Sequence, residues 1–209
     1  MRVTETEVPG AYLITPEQLT DERGSFHEAL RTVELEEVTG EPFRPQQINY
    51  STSRRNTLRG IHSVTVPPGQ AKLVTCVRGA ARDIVVDLRV NSPTFGHFDG
   101  TVLDTITARS VYVPEGVGHG FLTLTDDTCI CYVLSSAHVP GTQVDINPLD
   151  PDLALPWNFT EPPLMSHKDT TARSLTETLD AGLLMAWAAV PPAVRDRRRD
   201  DEHGHRPRR

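Results

Sequence analysis

Between Gln46 and Leu134 the chain reads as a train of short β-rich runs: "QQINYSTS", "KLVTCV", "RDIVVDLR", "FDGTVLD", "SVYVP", "HGFLTL" and "TCICYVL". Gly, Pro, Asn and Asp punctuate them. Runs this short, separated by turns with no room for crossover helices, must pair mainly antiparallel. The expected class is therefore all-β, an antiparallel sandwich or barrel rather than a parallel α/β sheet. Successive side chains of a strand point to opposite faces. Lys72 is thus expected to share a face with Val74 and Cys76, Asp83 with Val85 and Asp87, and Tyr132 with Ile130. With these as inward faces, their polar members converge on the interior.

The remainder of the 209 residues frames this β region, and 37% hydrophobic content is ordinary for one domain with a core. Residues 1–45 read as an N-terminal arm and edge strands, with a helix in "RTVELEEVTGEPF" that stops at Gly40. Residues 46–140 form the barrel core. Residues 141–192 supply turns and then a helix over 172–188, "ARSLTETLDAGLLMAWA", completing the domain. The tail, 193–209, is expected to be disordered, because "RDRRRDDEHGHRPRR" offers no apolar residue to bury. Its His203 and His205 are not read as a metal site.

A net charge of −7 argues against a nucleic-acid binder, so any anionic ligand must be held by locally clustered arginines. No stretch approaches the roughly 18 apolar residues of a membrane span. The opening "MRVTETEVPG" has no apolar signal-peptide core, and a cytoplasmic protein without membrane contact is expected. Cys76, Cys129 and Cys131 fall inside strand runs, where an odd number of thiols reads as buried side chains rather than a disulfide framework. Lys72 and Lys168 are the only lysines among 21 basic residues.

"GIHSVTVPPGQAKL" followed by "VPEGVGHGFL" points to a cupin-type antiparallel β jelly-roll barrel. Many such barrels hold a metal through paired histidines and a carboxylate. Here Ser63 and Val64 follow His62, and Gln70 and Lys72 stand where the carboxylate would be wanted. A lysine beside a divalent cation is electrostatically costly, so the barrel is read as metal-free. Arg59, His62, Lys72, Asp83, His119 and Tyr132 remain as acid, base and charge-stabilising groups on neighbouring strands.

The sequence resembles the dTDP-4-dehydrorhamnose 3,5-epimerases. The matching segments run in order: "DERGSFHE" (21–28), "QQINYSTS" (46–53), "LRGIH" (58–62), "PPGQAKLV" (67–74), "DIVVDLRVNSPTFG" (83–96), "VPEGVGHGFLTL" (113–124), "CYVLS" (131–135) and "NPLDPDLALPW" (147–157). The resemblance implies a cofactor-independent epimerase of a dTDP-linked 4-keto-6-deoxyhexose, working through an enolate at C3, C5 or both. It implies His62 as the base, oriented by Asp169 in "MSHKD", Lys72 as the enolate-stabilising cation and Tyr132 as the opposing acid. It further implies that Arg23 and Arg59 contact the diphosphate, with Phe26, Glu28, Gln47 and Asn49 around the nucleotide. By the same resemblance Asp83, His119, His138 and Lys168 are expected to line or border the pocket, and a homodimer is expected to share the N-terminal arm between sites.

Three positions depart from the family pattern. Ser63 follows the base where an aromatic is usual, His138 stands for a tyrosine, and Gln143 for an acid. Base, lysine and tyrosine remain, so the departures imply a variant sugar of the kind made for antibiotics. Rival readings are a 3,4-ketoisomerase of the same barrel class, a metal-dependent cupin oxygenase, and a sugar-nucleotide binding module without activity.

Overall fold

The computed structural model describes residues 1–190, so the expected tail and the last two residues of the 141–192 segment lie outside the described residues. Two antiparallel sheets face each other as a cupin-type jelly roll. The larger sheet runs β1 (Arg2–Glu5), β2 (Tyr12–Thr15), β10 (Ser110–Val113), β7 (Lys72–Arg78), β12 (Thr128–Leu134), β5 (Gln47–Ser53). The second runs β13 (Gln143–Asp145), β6 (Leu58–Val64), β11 (Val117–Thr123), β8 (Ala80–Asp87), β9 (Phe98–Asp104). A separate hairpin pairs β3 (Gln18–Asp21) with β4 (Gly24–His27).

The alternation read from sequence sets the layers. Val74 and Cys76 of β7, Val85 of β8, Phe121 of β11 and Ile130 of β12 pack between the sheets, with Tyr132 against them. The opposite faces of the same strands are also covered. Ile84 and Val86 meet Leu153, Trp157 and Leu175 of the C-terminal segment. Leu73 and Tyr112 meet Leu35 of α1 (Thr32–Thr39), which stops, as the sequence predicts, where Gly40 takes a left-handed φ of 75°. Each large apolar side chain so buried contributes about 1.5–3 kcal/mol.

The helix expected over 172–188 is shorter. It occupies only α3 (Leu175–Asp180), opened by a capping box between Ser174 and Glu177, and the chain leaves helical geometry at Gly182, φ 66°. That glycine favours a turn where apolar periodicity alone would carry the helix on. The segment then closes with a single 3₁₀ turn, Trp187–Ala189. A one-turn helix, α2 (His167–Thr170), was not expected from the sequence. It is nucleated by Ser166, whose hydroxyl accepts the Asp169 backbone N–H.

One close approach fixes β6 against β11. Gly60 has φ 122°, and a Cβ there would stand 2.6 Å from the Cα of Gly120. The two glycines let β6 pass close enough to bring His62 opposite His119 in register.

Candidate active site

A cleft of about 530 Å³ opens between the β7–β12–β5 side of one sheet and the β6–β13 side of the other. His62, Lys72, Tyr132, Asn49, Ser51 and Gln143 are among its walls. The strand alternation that fills the core with Val74 and Ile130 turns Lys72 and Tyr132 towards the same interior.

His62 sits on β6 with its Nε2 2.7 Å from Oδ1 of Asp169. Asp169 is 3% exposed, and its other carboxylate oxygen accepts the Ser166 hydroxyl at 2.8 Å. Burial by itself would raise the Asp169 pKa. The hydrogen bond and charge of His62, with Ser166 and Lys168, outweigh burial and hold the carboxyl below the usual range. An ionised carboxylate only accepts, so Nε2 carries the proton and donates it. Nδ1 is then the nitrogen left to accept one.

Lys72 is 9% exposed, with Nζ 3.4 Å from the backbone oxygen of His62. Burial pushes its ammonium down to about 8, with Asp145 opposing and Lys168 reinforcing the shift. Across the cleft the Tyr132 hydroxyl lies 3.1 Å from Ser51 Oγ. Burial raises it to about 12, so it holds its proton at neutral pH. Arg59 donates from Nε to Ser53 Oγ at 3.0 Å. Behind the cleft, His119 and Asp83 form a second buried pair at 2.6 Å, and the His119 ring meets Tyr132 edge-on with centroids 6.4 Å apart.

Gln47 links Asn49 to His138, donating to the Asn49 side chain at 3.0 Å and accepting from the His138 backbone N–H at 2.9 Å. Ser63 is buried, its hydroxyl donating to the Val117 carbonyl at 3.1 Å. Lys168 binds Gln143 at 3.0 Å and lies 2.9 Å from Asp145. Arg23, Phe26 and Glu28 are not brought to the cleft. Arg23 and Phe26 sit on the β3–β4 hairpin and Glu28 just beyond it; all three are exposed, and Arg23 pairs with Asp21.

Sequence reading missed Ser51, Ser166 and Asp145. Ser51 was legible, since alternation along β5 puts it on the face of Gln47 and Asn49. Asp145 and Ser166 sit on a three-residue strand and before a one-turn helix, too short to show a period. Among the described residues, no group of three or more His, Cys, Asp or Glu side chains is arranged to hold a metal.

Residues 5–177 match the dTDP-4-dehydrorhamnose 3,5-epimerase family. The chain belongs to that family. It is 48% identical over 188 residues to a dTDP-4-dehydrorhamnose 3-epimerase of Streptomyces niveus, covering 90% of each chain. It is 42% identical over 200 residues to a dTDP-4-dehydrorhamnose 3,5-epimerase of Mycolicibacterium smegmatis, covering 96% of this chain and 98% of that one. Among solved structures, NovW, a 4-keto-6-deoxy sugar epimerase from the novobiocin cluster of Streptomyces spheroides, superposes with a TM-score of 0.88. It is 47% identical, and the match covers 91% of this chain and 96% of that one. The family match runs from the last residue of β1 into α3 and so takes in both sheets of the barrel.

Proposed function

We propose that this epimerase-family chain inverts C3, with or without C5, of a dTDP-linked 4-keto-6-deoxyhexose and needs no cofactor to do so. The observation that carries the reading is the convergence of His62, Lys72 and Tyr132 on one cleft, with His62 Nε2 committed to Asp169. A ketone at C4 acidifies the hydrogens on C3 and C5, so a neutral imidazole suffices as base.

His62 Nδ1 takes the proton, and the Asp169 carboxylate stabilises the imidazolium that forms. Charge moves onto the C4 oxygen as the C–H bond breaks, and the Lys72 ammonium neutralises it there. The Tyr132 hydroxyl returns a proton from the opposite face of the ring, and the resulting tyrosinate and imidazolium relax through solvent. Both curated relatives have C3 in their names, which supports C3 as the common centre.

The nucleotide end is completed in a homodimer. Among the described residues the strands of the β3–β4 hairpin pair only with each other, and the hairpin exposes an apolar cross-strand couple, Leu19 and Phe26, 60% and 66% accessible. Inserted into a neighbouring subunit, it carries Arg23, Phe26 and Glu28 to that subunit's cleft. Arg59 and Arg23 then grip the diphosphate, for which forked guanidinium donors are suited. His138, Asn49 and Gln47 border the nucleotide. The reaction belongs in the cytoplasm with its nucleotide-sugar substrate.

The test is incubation with dTDP-4-keto-6-deoxyglucose in deuterated water, followed by NMR of the products. Deuterium at C3 with an inverted centre is expected. A 3-keto product without inversion would replace the reading by a 3,4-ketoisomerase.

A further inference from the structure

His62 faces a second carboxylate besides Asp169. Asp145 lies opposite it in the β13–β6 register, with Oδ1 3.8 Å from His62 Nε2. That Oδ1 is shielded from solvent and makes no directional hydrogen bond. Its other charged neighbour is the Lys168 ammonium at 2.9 Å, close enough for an ion pair though poorly aligned for a hydrogen bond. Lys168 is held in turn by Gln143 Oε1 at 3.0 Å, on the same three-residue strand.

We infer that Asp145 is a positioning residue for the base, and that Lys168 and Gln143 set how strongly its charge is felt. The inference rests on the reading of His62 as the base. Asp145 is not among the residues lining the cleft, so it acts through the groups beside it, His62 at 3.8 Å and the Lys72 ammonium, rather than on the sugar.

Among the described residues, the charged and titratable groups around His62 come from five elements. Asp169 and Lys168 stand on α2, Asp145 on β13, Lys72 on β7, His119 on β11 and Tyr132 on β12. Among the described residues, it is the two carboxylates that approach Nε2 itself, at 2.7 and 3.8 Å. Both favour the tautomer with the proton on Nε2, and both stabilise the imidazolium formed when Nδ1 accepts the substrate proton. Lys168 opposes them from behind Asp145. The half-exposed Lys168 ammonium tempers the negative charge that Asp145 presents to the ring.

The test is the pH profile of C3–H exchange into deuterated water for the full-length protein. Exchange requires the neutral base, so its rate falls on the acid side. Asp145→Asn removes the second anion and is expected to move that acid limb about one pH unit lower. Lys168→Met removes the opposing cation and should move it higher by a similar amount. Opposite displacements are the signature, because a packing defect or weakened substrate binding lowers rates without displacing the two limbs in opposite directions. If the asparagine variant does not fold, the methionine variant alone decides. An unmoved limb in a folded variant, or displacement of both variants in one direction, overturns the inference. Absence of exchange in the unmodified protein would instead overturn the epimerase reading.

Discussion

Lys72 offers a quantitative handle on the mechanism, because burial brings its ammonium down to about 8. At neutral pH about nine-tenths of the side chain is charged; at pH 9 only about one-tenth is. If the enolate oxygen requires that charge, kcat/KM for C3 inversion falls about tenfold per pH unit above pH 8, since kcat/KM reports groups of the free enzyme. The assay is the initial rate of product formation by NMR at subsaturating substrate, from about pH 6 to about pH 10. Lys72→Arg keeps a cation at all these values and should lose the alkaline limb, whatever its plateau. The same burial carries a cost in stability. The folded value lies below the unfolded one, so the penalty is complete below about pH 8 and fades as pH rises towards about 10.5. A shift from 10.5 to about 8 corresponds to about 3 kcal/mol. Lys72→Met should therefore be inactive yet more stable than the parent at pH 7 in urea unfolding. An alkaline limb absent from the unmodified protein, or a Lys72→Met variant less stable at pH 7, would refute the reasoning.

Other substitutions probe the remaining parts. Asp169→Asn leaves the shape but removes the charge-assisted bond to His62, which is worth about 2 kcal/mol, and about 30-fold slower exchange is expected. Because the Asp169 carboxyl is held low, its stabilisation is present above about pH 4 and is lost as pH falls further, so this variant should show a flatter loss of stability in acid melts. Tyr132→Phe should reduce inverted product far more than hydrogen exchange, since exchange needs only the base; equal losses in the two NMR readouts would contradict that division. Gly60→Ala places a Cβ 2.6 Å from the Gly120 Cα at φ 122° and should cost about 3 kcal/mol or more, read as a lowered urea midpoint.

Much of this was legible in the sequence because period-2 alternation is a local property. Val74, Cys76 and Ile130 fixed the inward faces, and those faces carry Lys72 and Tyr132. Gly40 marked the end of α1 for an equally local reason, its left-handed φ. What local pattern leaves out is long-range pairing. Asp169 lies 107 residues from His62, and only the family resemblance joined them before the fold did. Asp145 escaped altogether, because β13 is too short to display a period and its partner is set by sheet topology. The overlong helix came from reading apolar spacing through Gly182, where backbone preference overrides side-chain pattern.

The account turns on His62 as the group that takes the carbon-bound proton. It is tested most directly by comparing the unmodified protein with His62→Ala on dTDP-4-keto-6-deoxyglucose in deuterated water, following C3–H and C5–H by NMR. The unmodified protein is expected to exchange C3–H, and the alanine variant, shown folded by its circular dichroism, to exchange neither position above the solvent background. Undiminished exchange at C3 in His62→Ala would contradict the central claim.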